Sequence, residues 1–115
     1  MAVRHLQRAG YEILARNWRS PHADLRGELD VVARDGAALV FCEVKARRGQ
    51  DAGGPLAAVT PAKVAQLRRL AGSYLATCAA AETAVRIDVI GVCWPVGGGR
   101  AIVEHICDID DLGGG

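Results

Sequence analysis

Asp30, Glu43 and Lys45 are ionisable residues set inside two largely apolar runs, 28–33 and 39–45. Runs that are apolar on both faces are typical of strands covered on each side, so charges within them need an explanation. Side chains alternate along a strand, which puts Glu28 and Asp30 on one face of the first run and Glu43 and Lys45 on one face of the second. The intervening Arg34-Asp35-Gly36-Ala37-Ala38 contains an Asp-Gly step, a hairpin signal. If Arg34 pairs with Leu39, Asp30 stands opposite Glu43 and Glu28 opposite Lys45. A tighter turn centred on Asp35-Gly36 instead pairs Glu28 with Glu43 and sets Asp30 diagonal to it. Either register gathers all four groups on one face.

Directly opposed carboxylates in a sheet have Cβ atoms about 5 Å apart and repel each other. A bound cation removes the repulsion. Two or three oxygen donors with room for water suit Mg²⁺ or Mn²⁺, and they lack the nitrogen and sulfur donors of structural zinc. The competing reading is a half-exposed hairpin with a Glu28–Lys45 surface salt bridge worth less than ~1 kcal/mol. The apolar flanks Val31-Val32 and Val40-Phe41-Cys42 argue against a fully solvated face.

The elements that must hold these residues follow from periodicity and breakers. Val3, Leu6 and Ala9 have helical spacing ahead of Gly10, so residues 1–9 read as the end of a helix. Residues 11–15 read as a strand, and 17–26 as an arginine-rich polar loop containing Ser20-Pro21. The stretch 47–59, with Gly49, Gly53, Gly54 and Pro55, reads as a mobile connection. Thr60-Pro61 is a helix start, followed by Val64, Leu67, Leu70, Ala71, Tyr74 and Leu75 to about Ala80. Strands are expected at 85–93 and 101–106, with a turn at 95–99. A strand, a crossover helix and a strand imply that 39–45 and 85–93 are parallel.

At 115 residues, half of them apolar and about a quarter charged, the chain has the composition of one soluble α/β domain, 1–110, with a short flexible tail at 111–115. It shows no secretory leader and no membrane-length apolar run, so a cytoplasmic protein with no membrane partner is expected. Cysteines 42, 78, 93 and 107 form no CxxC pair and read as reduced core residues. His5, His22 and His105 have no ligand spacing, and Trp18 and Trp94 read as packing residues. Asp88 is a strand residue with no evident partner. The net charge of +1 divides unevenly: residues 1–69 hold 12 Lys/Arg against 7 Asp/Glu, and residues 70–115 hold 2 against 6. A basic half suits a polyanion, although a solvated face and the acidic residues 108, 110 and 111 would produce the same asymmetry. Arg19, Arg26, Arg47, Arg48, Lys63, Arg68 and Arg69 could line a phosphate track, with Arg26, Arg47, Arg48 and Lys63 the candidate nucleic-acid contacts. Gln66, about one turn beyond Lys63, could approach the site across the loop.

The segments Gly27-Glu28-Leu29-Asp30-Val31-Val32 and Leu39-Val40-Phe41-Cys42-Glu43-Val44-Lys45 resemble the metal site of the PD-(D/E)xK nuclease superfamily. The run from Ala2 to Ile106, with Gly10-Tyr11, Asn17-Trp18-Arg19, Lys63 and Arg86-Ile87-Asp88-Val89, resembles the small bacterial YraN (UPF0102) family. That resemblance implies a restriction-endonuclease-like fold, a mixed β-sheet flanked by helices, related to archaeal Holliday-junction resolvases. It implies that Asp30 and Glu43 bind metal, that the Val44 carbonyl completes the site, and that Lys45 positions or activates the attacking water. Glu28 is then an auxiliary ligand or the structural partner of Lys45. The implied activity is Mg²⁺- or Mn²⁺-dependent cleavage of DNA, branched or damaged, by a protein that dimerises as resolvases do. The alternative is a non-catalytic nucleic-acid-binding module with a degenerate site. Members of that family usually begin with a longer first helix carrying a Gly-Glu step, and Met1 stands after that point, so a supporting glutamate is not in this sequence.

Overall fold

Alternation of apolar residues around one tight turn organises the molecule. Val, Leu and Phe on both sides of Gly36 fold back as two long antiparallel strands, and Gly36 takes the positive φ of 59° that the reversal requires. In the computed structural model the described residues are 1–49, 57, 59–78 and 84–109. They form α1 (Ala2–Arg8), β1 (Glu12–Trp18), β2 (Leu29–Asp35), β3 (Ala38–Arg48), α2 (Pro61–Thr77), β4 (Ala84–Trp94) and β5 (Ile102–Ile106). The strands lie in the order β1-β2-β3-β4-β5. All neighbours are antiparallel except β3 and β4, which are parallel as the crossover through α2 demands.

The two central strands are apolar throughout because each face has its own cover. Leu39 and Phe41 of β3 and Ile87 and Val89 of β4 pack with Val64, Leu67, Leu70 and Ala71 of α2. Val40 and Cys42 of β3 and Ile90 and Val92 of β4 point the other way and enclose Leu6 of α1, which has no exposed surface. Odd-numbered β3 residues, Glu43 and Lys45 among them, therefore lie on the α2 face. Asp88 aligns with Cys42 in the parallel register and lies on the α1 face.

This is a single α/β domain consistent with a restriction-endonuclease-like fold. Several boundaries differ from the sequence reading. β1 extends through Asn17 and Trp18, which pattern analysis assigned to a loop, because Trp18 pairs with Leu29 and packs edge-on against Tyr74 at 5.2 Å. β3 extends to Arg48, carried by its pairing with β4, so Arg47 and Arg48 belong to a strand rather than to the connection. The helix expected to reach about Ala80 ends at Thr77, where Cys78 is already extended. Gly53, Gly54 and Pro55 of that connection lie outside the described residues, as does the tail. Of the four cysteines only Cys42 is fully buried, and its thiol is pushed up by burial to about 12, whereas Cys107 is exposed rather than a core residue. Among the described residues no helix is long and apolar enough to cross a membrane.

Candidate active site

The β2–β3 ladder runs from Asp35 opposite Ala38 to Val31 opposite Cys42, the register in which Arg34 pairs with Leu39. One step further it places Asp30 opposite Glu43. There the Val44 amide donates to Asp30 Oδ2 at 2.8 Å, so the carboxylate closes the open end of the ladder. In an antiparallel strand a residue's N–H and C=O leave on the same side, which sets the Val44 carbonyl on the flank occupied by Asp30. Burial pushes the Asp30 carboxyl up, the Val44 N–H pulls it down, Glu43 raises it and Lys63 lowers it, for a net value of about 6. It is a carboxylate short of donors.

Glu43 is 3% exposed, and its Oε2 receives two ammonium groups, Lys45 Nζ at 3.2 Å and Lys63 Nζ at 3.3 Å. Lys45 reaches it from the same strand face. Lys63 reaches it from the first turn of α2, where Thr60 Oγ1 accepts the Lys63 amide at 3.1 Å and Pro61 occupies the first helical position. The residue expected to contact phosphate thus sits on a carboxylate instead. Beside it, Arg26, Thr60, Gln66 and Arg69 line a shallow groove. Gln66 Nε2 donates to the Arg26 carbonyl at 2.9 Å, and Gly27 allows that approach: its φ is 92°, and a Cβ there would stand 2.5 Å from Gln66 Nε2. Gln66 therefore braces the loop rather than entering the site.

Glu28 departs from expectation. Its carboxylate is bonded to Arg19 Nε at 3.1 Å. β2 begins at Leu29, paired with Trp18, so Glu28 lies beyond the ladder, next to the chain leaving β1. Arg47 and Arg48 point to opposite sides of the sheet, and only Arg47 shares the face of Glu43 and Lys45. On the α1 side, Ala2, Val3, Arg16, Asn17, Asp30 and Val44 line a second hollow. Asn17 adopts a φ of 50° there, a left-handed conformation that asparagine tolerates better than most residues. Asp30 is therefore approached from both faces.

A second polar cluster, centred on Asp88, was not anticipated. Asp88 has no exposed surface, yet Arg86 donates to both its oxygens at 3.0 and 3.1 Å, the Asp108 amide donates at 3.0 Å, and His105 Nε2 lies 2.6 Å away. Arg86 also holds Asp35 at 3.1 Å and Tyr11 Oη at 2.5 Å, and His105 Nδ1 meets His5 Nε2 at 3.0 Å. Burial pushes the Asp88 carboxyl up, but these hydrogen bonds outweigh burial and leave it below the usual carboxylate range. Asp88, His105 and Cys107 also form a mixed O, N and S donor group, with ligand atoms within 4.8 Å of one another. The oxygens of Asp88 are already satisfied by a guanidinium, an amide and an imidazole. The cluster ties α1, the residue leading into β1, β2, β4 and β5 together. Its sequence signal was Arg86 and Asp88 two apart on one face of an apolar strand.

The fold and site define a small α/β domain whose central hairpin ends in two carboxylates balanced by two lysines. Residues 1–92 match the family described as "Uncharacterised protein family UPF0102", and the chain belongs to that family. Similar proteins include a UPF0102 protein of Kineococcus radiotolerans, 49% identical over 110 residues, 95% of this chain and 86% of that one. Another is a UPF0102 protein of Streptomyces coelicolor, 49% identical over 106 residues, covering 91% and 78% of the two chains. A UPF0102 protein of Mycolicibacterium vanbaalenii is 53% identical over 92 residues, 80% and 73% of the two chains.

Proposed function

We propose that the chain is a divalent-metal-dependent nuclease of the PD-(D/E)xK type, acting on branched or damaged DNA and related to the archaeal Holliday-junction resolvases. The observation that carries this reading is the end of the β2–β3 ladder, where Asp30, held by the Val44 amide, faces Glu43 with Lys45 on its carboxylate. The donor set fits the proposed ion: two carboxylates and a flanking carbonyl are hard oxygen ligands for Mg²⁺ or Mn²⁺. When bound, such an ion supplies Lewis acidity toward the phosphate and lowers the pKa of coordinated water.

The chain's own groups do the rest. Val44 N–H fixes the Asp30 carboxylate in one orientation, Glu43 supplies the second carboxylate, and the Lys45 ammonium stabilises charge building on attacking water or phosphate oxygen. Arg26, Arg69 and Arg47 offer phosphate contacts around the site, which give affinity that falls with salt and carries little sequence preference. The resolvase likeness also implies a homodimer, which sedimentation would reveal.

The test is cleavage of four-way, flapped, linear and single-stranded DNA with Mg²⁺ or Mn²⁺. Cleavage abolished in Asp30→Asn, Glu43→Gln and Lys45→Ala supports the nuclease. Salt-sensitive DNA binding without cleavage of any substrate replaces it with a binding module, the reading favoured by the charge balance that Lys45 and Lys63 already provide at Glu43.

A further inference from the structure

We propose that Lys63 is an exchangeable counter-ion of Glu43, holding the carboxylate while the site carries no divalent cation and turning to a substrate phosphate when it does. The inference rests on the metal-dependent reading above and names a positioning residue for it. Two ammonium groups share one oxygen: Lys45 Nζ at 3.2 Å and Lys63 Nζ at 3.3 Å from Glu43 Oε2. With Asp30 and Glu43 ionised, the two lysines bring the site to zero net charge. A divalent cation on the same oxygens repels both ammonium groups, and one Glu43 oxygen cannot serve all three at contact distance.

The fold decides which lysine gives way. Lys45 stands two residues from Glu43 on the same strand face, so its backbone, paired with Gly91 of β4, keeps it beside the carboxylates. Lys63 reaches across from a different element. Its backbone is held by the Thr60 cap and by the Gln66–Arg26 bond one turn later, so only its flexible stem needs to move. Its side chain is 29% exposed, so the ammonium can leave Glu43 for water. On its other side lies the groove lined by Arg26, Thr60, Gln66 and Arg69, a basic hollow at the positive end of α2 with Asp24 as its one carboxylate among the described residues. The same ammonium thus has an anion on one side and a place for a phosphate on the other.

The decisive measurement follows the lysine ammonium groups of the full chain by nuclear magnetic resonance during titration with Mg²⁺. The expected result is that the Lys63 Nζ signal moves to the position of a solvated lysine, while Lys45 remains perturbed. By calorimetry, Lys63→Met should bind Mn²⁺ about tenfold more tightly than the unaltered chain, the order expected from removing one partly screened competing charge. It should also bind a duplex oligonucleotide more weakly, with Lys63→Gln as a second variant of the same sign. A Lys63 signal that stays in place at saturating Mg²⁺ overturns the proposal, as does a Lys63→Met chain that binds Mn²⁺ no better than the original. If the unaltered chain binds no Mn²⁺, or Asp30→Asn with Glu43→Gln binds it equally well, the metal site itself fails and the exchange with it.

Discussion

Glu43 and Asp88 lie one register step apart on the parallel central strands, since Glu43 pairs with Val89 and Cys42 with Asp88, yet they face opposite sides of the sheet. Both are buried carboxylates. Asp88 meets a bidentate arginine, an amide and an imidazole, none of which is free to leave. Glu43 meets two lysines whose side chains are about a third exposed, and its neighbour Asp30 has one amide and a carboxyl held at about 6. Burial alone therefore does not separate a structural carboxylate from a reactive one. What separates them is whether the compensating charge is rigid and complete or mobile and short.

Breaking the complete side should have the larger effect. Asp88→Ala leaves the Arg86 guanidinium half-paired and strands His105 and the Asp108 amide, so urea unfolding should show a loss of about 3–5 kcal/mol. DNA and metal binding at the opposite face should persist in the fraction that remains folded. A loss below about 1 kcal/mol would mean that the cluster is not the fastener its geometry suggests.

Asp30→Asn should move stability the other way. The folded chain holds the Asp30 proton more tightly than the unfolded chain, so this group's contribution is greatest at low pH and declines as pH rises from 3.8 to about 6. Asparagine keeps an acceptor for the Val44 amide and removes the charge. Without divalent ions it should stabilise the protein at pH 7 by roughly 1–2 kcal/mol, a figure reduced for solvent screening. Asp88 has the opposite sign: its carboxyl lies below the usual range, so its contribution is present above 3.8 and is lost as pH falls through its folded value. Denaturant midpoints from pH 3 to 8 for the parent chain and Asp30→Asn separate the two slopes. Parallel curves would show that Asp30 does not hold its proton more tightly in the folded chain.

Glu43→Gln sharpens the contrast from the site side. Lys63 can turn to solvent and the Lys45 side chain is already partly exposed, so stability should change by less than about 1 kcal/mol while calorimetric Mn²⁺ binding is lost. A large destabilisation would make Glu43 a second fastener.

The smallest effect concerns α1. His5 is held below its ordinary 6.5 by burial and by His105, so protonation is disfavoured in the folded state and the stability it supports falls as pH drops below 6.5. Protection factors of the Ala2–Arg8 amides, with the intrinsic pH dependence of exchange divided out, should fall modestly between pH 7 and 5.5 in the parent chain and lose that pH dependence in His5→Ala. Equal pH dependence in both would remove His5 from the attachment of α1.

The amino-acid sequence alone was enough to determine the hairpin, one of its two candidate registers being the one found, together with the Thr60-Pro61 helix start and the placing of Asp30, Glu43 and Lys45 on one face. These depend on side-chain alternation, turn chemistry and capping, which act within a few residues. Only the tertiary structure decided that Lys63 shares Glu43, that Glu28 belongs to Arg19, and that the Arg86 and His105 holding Asp88 reach on to Asp35, Tyr11 and His5. Lys63 and Glu43 meet because the crossover lays the start of α2 over one face of the sheet, and His5 and His105, 100 residues apart, meet because α1 covers the other. Periodicity states which residues share a face. Which distant element covers that face is set by packing of the whole chain.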